Sequence, residues 1–214
     1  MNNRTWNWWD FPATGYITTK LSNDELSPIR QEVYEIRDRN FIDAERYNEG
    51  LAGNIKREYL LKKTKNYIGT LVEPMIYNYI EHYNYRDILQ SNIKQKNLVI
   101  DSVWVNYQKK GEFNPIHMHY GVMSFVIWLD IPFWEEDEIN LTPDIPAEKN
   151  EAGNFSFVFS DPLNTVKTHN ICVDKSFENT LCIFPAFHNT FLQADHIAQI
   201  VLTCSNIFEH ASTA

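Results

Sequence analysis

VNYQKKGEFNPIHMHYGVMSFVIWLDIP, residues 105–132, is the stretch on which the fold turns. Pro115 ends a loop, and the apolar run SFVIWLDI (124–131) after it reads as a strand. Between the two stand His117 and His119. In an extended chain, side chains two apart point to the same side. Both imidazoles can then converge on one metal ion.

Outward from this stretch the same character repeats. LVIDSVWVNY (98–107), NFSFVFS (154–160), TLCIFP (180–185) and AQIVLTCSNI (198–207) are short, β-branched and aromatic, with Pro, Asn, Asp and Gly between them. They predict an antiparallel β-sandwich over roughly the C-terminal half. FWEEDEINLTPDIPAEKNEAGN (133–154) interrupts the strands and reads as a long solvated loop.

Upstream the period changes. Leu26, Ile29, Val33 and Ile36 recur at helical spacing after Ser22 and Asn23, which suit a helix start. Ile68, Leu71, Val72, Met75, Ile76, Tyr79 and Ile80 form a second apolar stripe, in which Pro74 predicts a kink or a break. Residues 1–20 read as an irregular arm whose Trp6, Trp8 and Trp9 pack on the core. The expected layout is one domain over 1–214, with the arm and supporting helices in 1–97 and the β core in 98–208.

Composition narrows the class. With 43% hydrophobic and 14% aromatic residues in 214, the chain can bury a sizeable core. A net charge of −9 is wrong for wrapping nucleic acid or docking on an anionic membrane. No apolar stretch reaches membrane-spanning length, and MNNRTWNWWDFP lacks the plan of a secretory signal. Cys172, Cys182 and Cys204 fit no zinc spacing and read as free thiols in a reducing compartment. A cytoplasmic protein is expected, in the host cytoplasm if the source is viral.

Seven histidines occur, and three stand out by context. His117 and His119 share the loop-to-strand segment, and His188 follows a short apolar strand broken by Pro185. Only tertiary folding can bring His188 to the pair. An H-x-H segment alone is a weak metal signal, and a lone His188 equally suits a core position. His82 reads as a helix-face residue, His210 as part of a frayed tail, and His169 and His196 as surface residues. Asp130, deep in the following strand, is a poor alternative ligand. Trp104, Phe125, Trp128 and Phe187 read first as core and second as walls of a cavity.

Taken together, VNYQKKGEFNPIHMHYGVMSFVIWLDIP, GNFSFVF (153–159) and LCIFPAFHNTF (181–191), with weaker support from LAGNIKREY (51–59), resemble the 2-oxoglutarate/Fe(II)-dependent oxygenase superfamily. The likeness is greatest to a phage and bacterial group of small members. It implies an α+β, mainly β fold: a double-stranded β-helix (a cupin-like jelly roll) with the N-terminal helices packed on one sheet. It implies Fe(II) held by His117, His119 and His188, with His119 where most members carry Asp or Glu. It implies 2-oxoglutarate as co-substrate, with O₂ and an unidentified substrate as reactants and a homodimer as the candidate assembly. The family's carboxylate-binding Arg is replaced by Gln199, and no Arg follows residue 86. Asn106, Tyr107, Ser124 and Lys167 are the candidates to compensate. Two alternatives stay open: a three-His iron dioxygenase whose substrate chelates the metal directly, and a non-catalytic jelly roll with a vestigial metal site.

Overall fold

The computed structural model describes residues 14–84 apart from Ala52, 97–119, 121–140, 153–161, 163–186, 189–193 and 199–210. His188, Phe187, His196 and the three tryptophans of the arm lie outside them. In chain order the elements are β1 (Ile17–Lys20), α1 (Asn23–Asp38), β2 (Glu58–Leu60), α2 (Lys65–His82), β3 (Asn97–Ile100), β4 (Trp104–Gln108), β5 (Phe113–His117), β6 (Met123–Asp130), α3 (Glu135–Asn140), β7 (Asn154–Ser160), β8 (Val166–Cys172), β9 (Thr180–Pro185), β10 (Asn189–Gln193) and β11 (Gln199–His210). The chain is mainly sheet with few helices, as the sequence predicts.

Both helices form where the apolar spacing places them. At α1, Ser22 Oγ accepts from the Glu25 amide at 3.3 Å and Glu25 Oε2 accepts from the Ser22 amide at 2.7 Å, a reciprocal cap. Leu26, Ile29 and Val33 make its buried face. α2 buries Ile68, Val72, Ile76, Tyr79 and Ile80. The expected break at Pro74 does not occur: α2 runs through it. Pro74 is exposed, so the carbonyl that its missing N–H leaves unpaired faces water rather than the core. A further cap joins the helices. Buried Glu32 of α1 accepts from the backbone N–H of Lys62, Lys63 and Thr64 and from the Thr64 hydroxyl, at 2.6–3.0 Å. It satisfies the backbone donors of the segment that leads into α2, including the N-cap Thr64, which has no acceptor inside the helix.

The strands form two antiparallel sheets. One runs β1-β9-β6-β11-β4-β2, with β3 also on β11; the other runs β5-β10-β7-β8. Alternation along each strand divides the core in two. Phe125, Ile127 and Leu129 of β6, Leu181 and Ile183 of β9, and Val105 and Tyr107 of β4 pack under the helices. Val126, Trp128, Cys182 and Phe184 face the other way, against Phe155, Phe157 and Ile171 of the smaller sheet. The result is three layers: helices, large sheet, small sheet.

Three expectations need correction. The end of the N-terminal arm is a strand, since β1 pairs with β9 at Ile17↔Ile183. His210 is not in a frayed tail, because its backbone pairs with Asn97. Part of the acidic stretch is helical, as α3. Among the described residues no helix is long and apolar enough to cross a membrane.

Candidate metal centre

β5 ends at His117, and the turn to β6 carries His119. Met118 between them is 65% exposed and His119 only 7%, so the alternation expected of an extended H-x-H holds. The two rings lie 4.7 Å apart between centroids. Gly121 closes this turn at φ 99°, a conformation that a side chain disfavours.

Each ring has a fixed partner. His117 Nδ1 lies 2.7 Å from the carbonyl of Pro115. A carbonyl only accepts, so Nδ1 carries the hydrogen and Nε2 keeps its lone pair. His119 Nε2 lies 3.1 Å from Thr190 Oγ1, and the His119 ring meets Phe184 edge-on at 5.6 Å. Burial, then the neighbouring His117, pushes the His119 pKa down to about 3. The imidazole is therefore neutral at physiological pH, the form that binds metals.

The small sheet carries this end of the sandwich outward as a row. His117, Thr190, Phe157 and His169 are direct cross-strand partners on β5, β10, β7 and β8, and such partners share a face. Over the far end of the row Tyr16 stacks on Phe157 at 5.1 Å and hydrogen-bonds His169 at 2.9 Å. Thr14, Gly15, Tyr16, Phe157, Phe159 and His169 line a recess of about 250 Å³ there.

His188 lies outside the described residues, and among those residues no group of three His, Cys, Asp or Glu side chains could hold a metal. The residues that bracket His188 are described, and both meet the His117–His119 segment. The Ala186 carbonyl accepts from the His119 amide at 3.1 Å, and Thr190 pairs with His117. Asp130 is unavailable as a ligand: it accepts from Arg30 Nη1 at 2.7 Å and from the Tyr34 hydroxyl at 3.0 Å.

Among solved structures the chain is similar to a prolyl-4-hydroxylase from Pseudomonas putida, at 11% identity and a TM-score of 0.55, covering 91% of this chain and 93% of that one. It is also similar to a prolyl hydroxylase from Trichoplax adhaerens in complex with a hypoxia inducible factor peptide fragment, at 9% identity and a TM-score of 0.52, covering 91% and 84%. In fold, the chain resembles the prolyl hydroxylases. No family model matches it, and no curated protein does.

Strand pairing and burial sort the candidate co-substrate residues by face. Asn106 and Ser124 are buried and lie on the sandwich side of the large sheet. Ser124 pairs with Phe184, the ring that touches His119, and its Oγ has no hydrogen-bond partner among the described residues. Position 199 pairs with Gln108. Tyr107 is turned away: its ring sits in the helix-side core and its hydroxyl donates to the Val33 carbonyl at 2.5 Å. Period-two alternation puts it on the face opposite Asn106. Lys167 is exposed, 3.9 Å from Asp161 and two residue pairs beyond His169. Phe125 and Trp128 are core residues, and Trp104 packs on Tyr47 at 5.3 Å.

Sequence reasoning missed Glu58. It is buried, pairs with Asn106 across β2 and β4, and accepts from Asn48 Nδ2 at 2.7 Å. Burial, then the charge of Glu112, raises its pKa to about 7.

Proposed function

We propose that the chain is a non-haem Fe(II), 2-oxoglutarate-dependent dioxygenase that hydroxylates an unidentified substrate, with His117, His119 and His188 as metal ligands. The observation that carries the reading is the pairing of the His117 ring with the buried, neutral His119 imidazole, 4.7 Å apart, at one end of a two-sheet sandwich of prolyl hydroxylase fold. Strand order supports a double-stranded β-helix as the core. β4, β5, β6 and β7 each pair antiparallel with β11, β10, β9 and β8 respectively, as in one long hairpin wound into two sheets.

The residues present fit the metal. Imidazole nitrogens suit Fe(II), and ligands confined to one side leave positions open for co-substrate and O₂. Fe(II), when bound, supplies O₂ activation coupled to oxidative decarboxylation of the keto acid. The chain's own work is ligation, orientation and exclusion of water. The Pro115 carbonyl holds the His117 ring by Nδ1 and leaves Nε2 free. Ser124 Oγ, buried and unpartnered among the described residues, is a donor that a carboxylate oxygen would satisfy. Gln199 stands where typical members of the superfamily place an Arg, so a hydrogen bond from that position is a neutral one, and Asn106 is a buried amide on the Ser124 side of the sheet.

Metal content tests the assignment. His117→Ala and His188→Ala should each purify with little or no Fe(II) and leave the far-UV circular dichroism unchanged. His119→Asp should keep iron, because it recreates the commoner His-x-carboxylate pair. Wild-type iron content in both alanine variants would refute the ligand set. A wild type without stoichiometric iron or keto-acid turnover would leave a non-catalytic module.

A further inference from the structure

We infer that Thr190 is a positioning residue for the metal, acting through His119: its hydroxyl accepts from Nε2–H and so presents Nδ1 of His119 as the ligand atom. The inference rests on the proposed iron site and adds which nitrogen of His119 is offered and what offers it.

The geometry is specific. Thr190 Oγ1 and His119 Nε2 are 3.1 Å apart, and both residues are buried, Thr190 at 1% and His119 at 7% exposure. A neutral imidazole has one N–H and one lone pair. If the threonine hydroxyl donated, the lone pair of Nε2 would be consumed, Nδ1 would carry the hydrogen, and the ring would have nothing to give a metal. With Nε2–H donating, the lone pair sits on Nδ1. His117 is set the other way round, since its Nδ1–H donates to Pro115 and its Nε2 is free. The two rings therefore present unlike nitrogens.

Thr190 is itself held in place. It is the partner of both His117 and Phe157 in the sheet. The backbone of His119 is tied separately, by its amide to the Ala186 carbonyl at 3.1 Å. The side-chain hydrogen bond thus acts on the ring rather than on the backbone, together with the edge-on contact to Phe184. Partners of metal-bound imidazoles typically change metal affinity by about 10–100-fold when removed.

The test uses the full chain and Co(II) under anaerobic conditions, read by visible d–d absorption and by competition with a chelator. Thr190→Val is nearly isosteric and lacks the hydroxyl; Thr190→Ser keeps it. The expected result is a loss of about 10–100-fold in Co(II) affinity with an altered d–d spectrum in Thr190→Val, and near wild-type values in Thr190→Ser. Both variants should match wild type in thermal unfolding of the metal-free protein to within a few degrees. Wild-type affinity and spectrum in Thr190→Val would overturn the inference and leave the iron site standing. Equal losses in the valine and serine variants would also overturn it, because the hydroxyl would then not be the group that matters. A wild type that binds no Co(II) and no Fe(II) would remove the metal site and this role with it.

Discussion

Glu58 titrates far from the ordinary carboxylate range. Its folded pKa of about 7 lies above the ordinary 4.5, so between those values the folded state keeps a proton that the unfolded state releases. Its contribution to stability is then full below about pH 4.5 and falls as pH rises to about 7, by on the order of 3 kcal/mol. Glu58→Gln should flatten that part of the curve of urea midpoint against pH; an unchanged slope would mean that Glu58 is ionised when folded. Hydrogen bonds to charged groups contribute about 1.5–3 kcal/mol against about 1 for neutral ones. Gln199→Arg should therefore tighten 2-oxoglutarate binding by roughly one to two decades in a calorimetric titration, and no change would place the co-substrate carboxylate elsewhere. At this scale the histidine pair is legible in the sequence, because two-residue alternation is a local property of an extended chain. Thr190 and Glu58 are not. Each acquires its role from residues distant in the chain, 71 positions away for Thr190, and neither has a distinctive motif around it.

Elements depend on junctions that periodicity alone does not announce. The apolar stripes over Leu26–Val33 and Ile68–Ile80 predict both helices, yet the hold between them is Glu32, which reads as an ordinary charged position on α1. Its carboxylate receives three backbone N–H groups and a hydroxyl at the start of α2. Glu32→Ala should destabilise the protein by about 3 kcal/mol, more than an exposed charge would, because the buried donors lose their acceptor. Glu32→Asp should fall between, since its shorter reach keeps only part of the set. A loss under about 0.5 kcal/mol in chemical denaturation would mean that water replaces the carboxylate at no cost. The element boundaries that the sequence misplaces have physical causes too. β1 is only four residues long and alternates weakly, so it exists because β9 offers it an edge. α2 passes Pro74 because the defect faces solvent.

At the scale of the whole molecule, the arrangement that matters is the meeting of two chain segments at one end of the sandwich: β5 with its turn, and the end of β9 with the start of β10. Sequence alone predicts strands and a resemblance, but the order of strands within sheets is decided by long-range pairing that leaves no local trace. The alternation of Val126 and Trp128 against Phe125 and Ile127 becomes meaningful only once helices cover one face and the small sheet the other. As proposed, this end of the molecule holds Fe(II) and a chelating keto acid together. Anaerobic addition of Fe(II) and then 2-oxoglutarate, followed by visible charge-transfer absorption, tests it directly. The account predicts a saturable band that needs both additions and is lost in His117→Ala and His188→Ala. Stoichiometric Fe(II) uptake with no band at any 2-oxoglutarate concentration, or a band that survives in His117→Ala and His188→Ala, would contradict it.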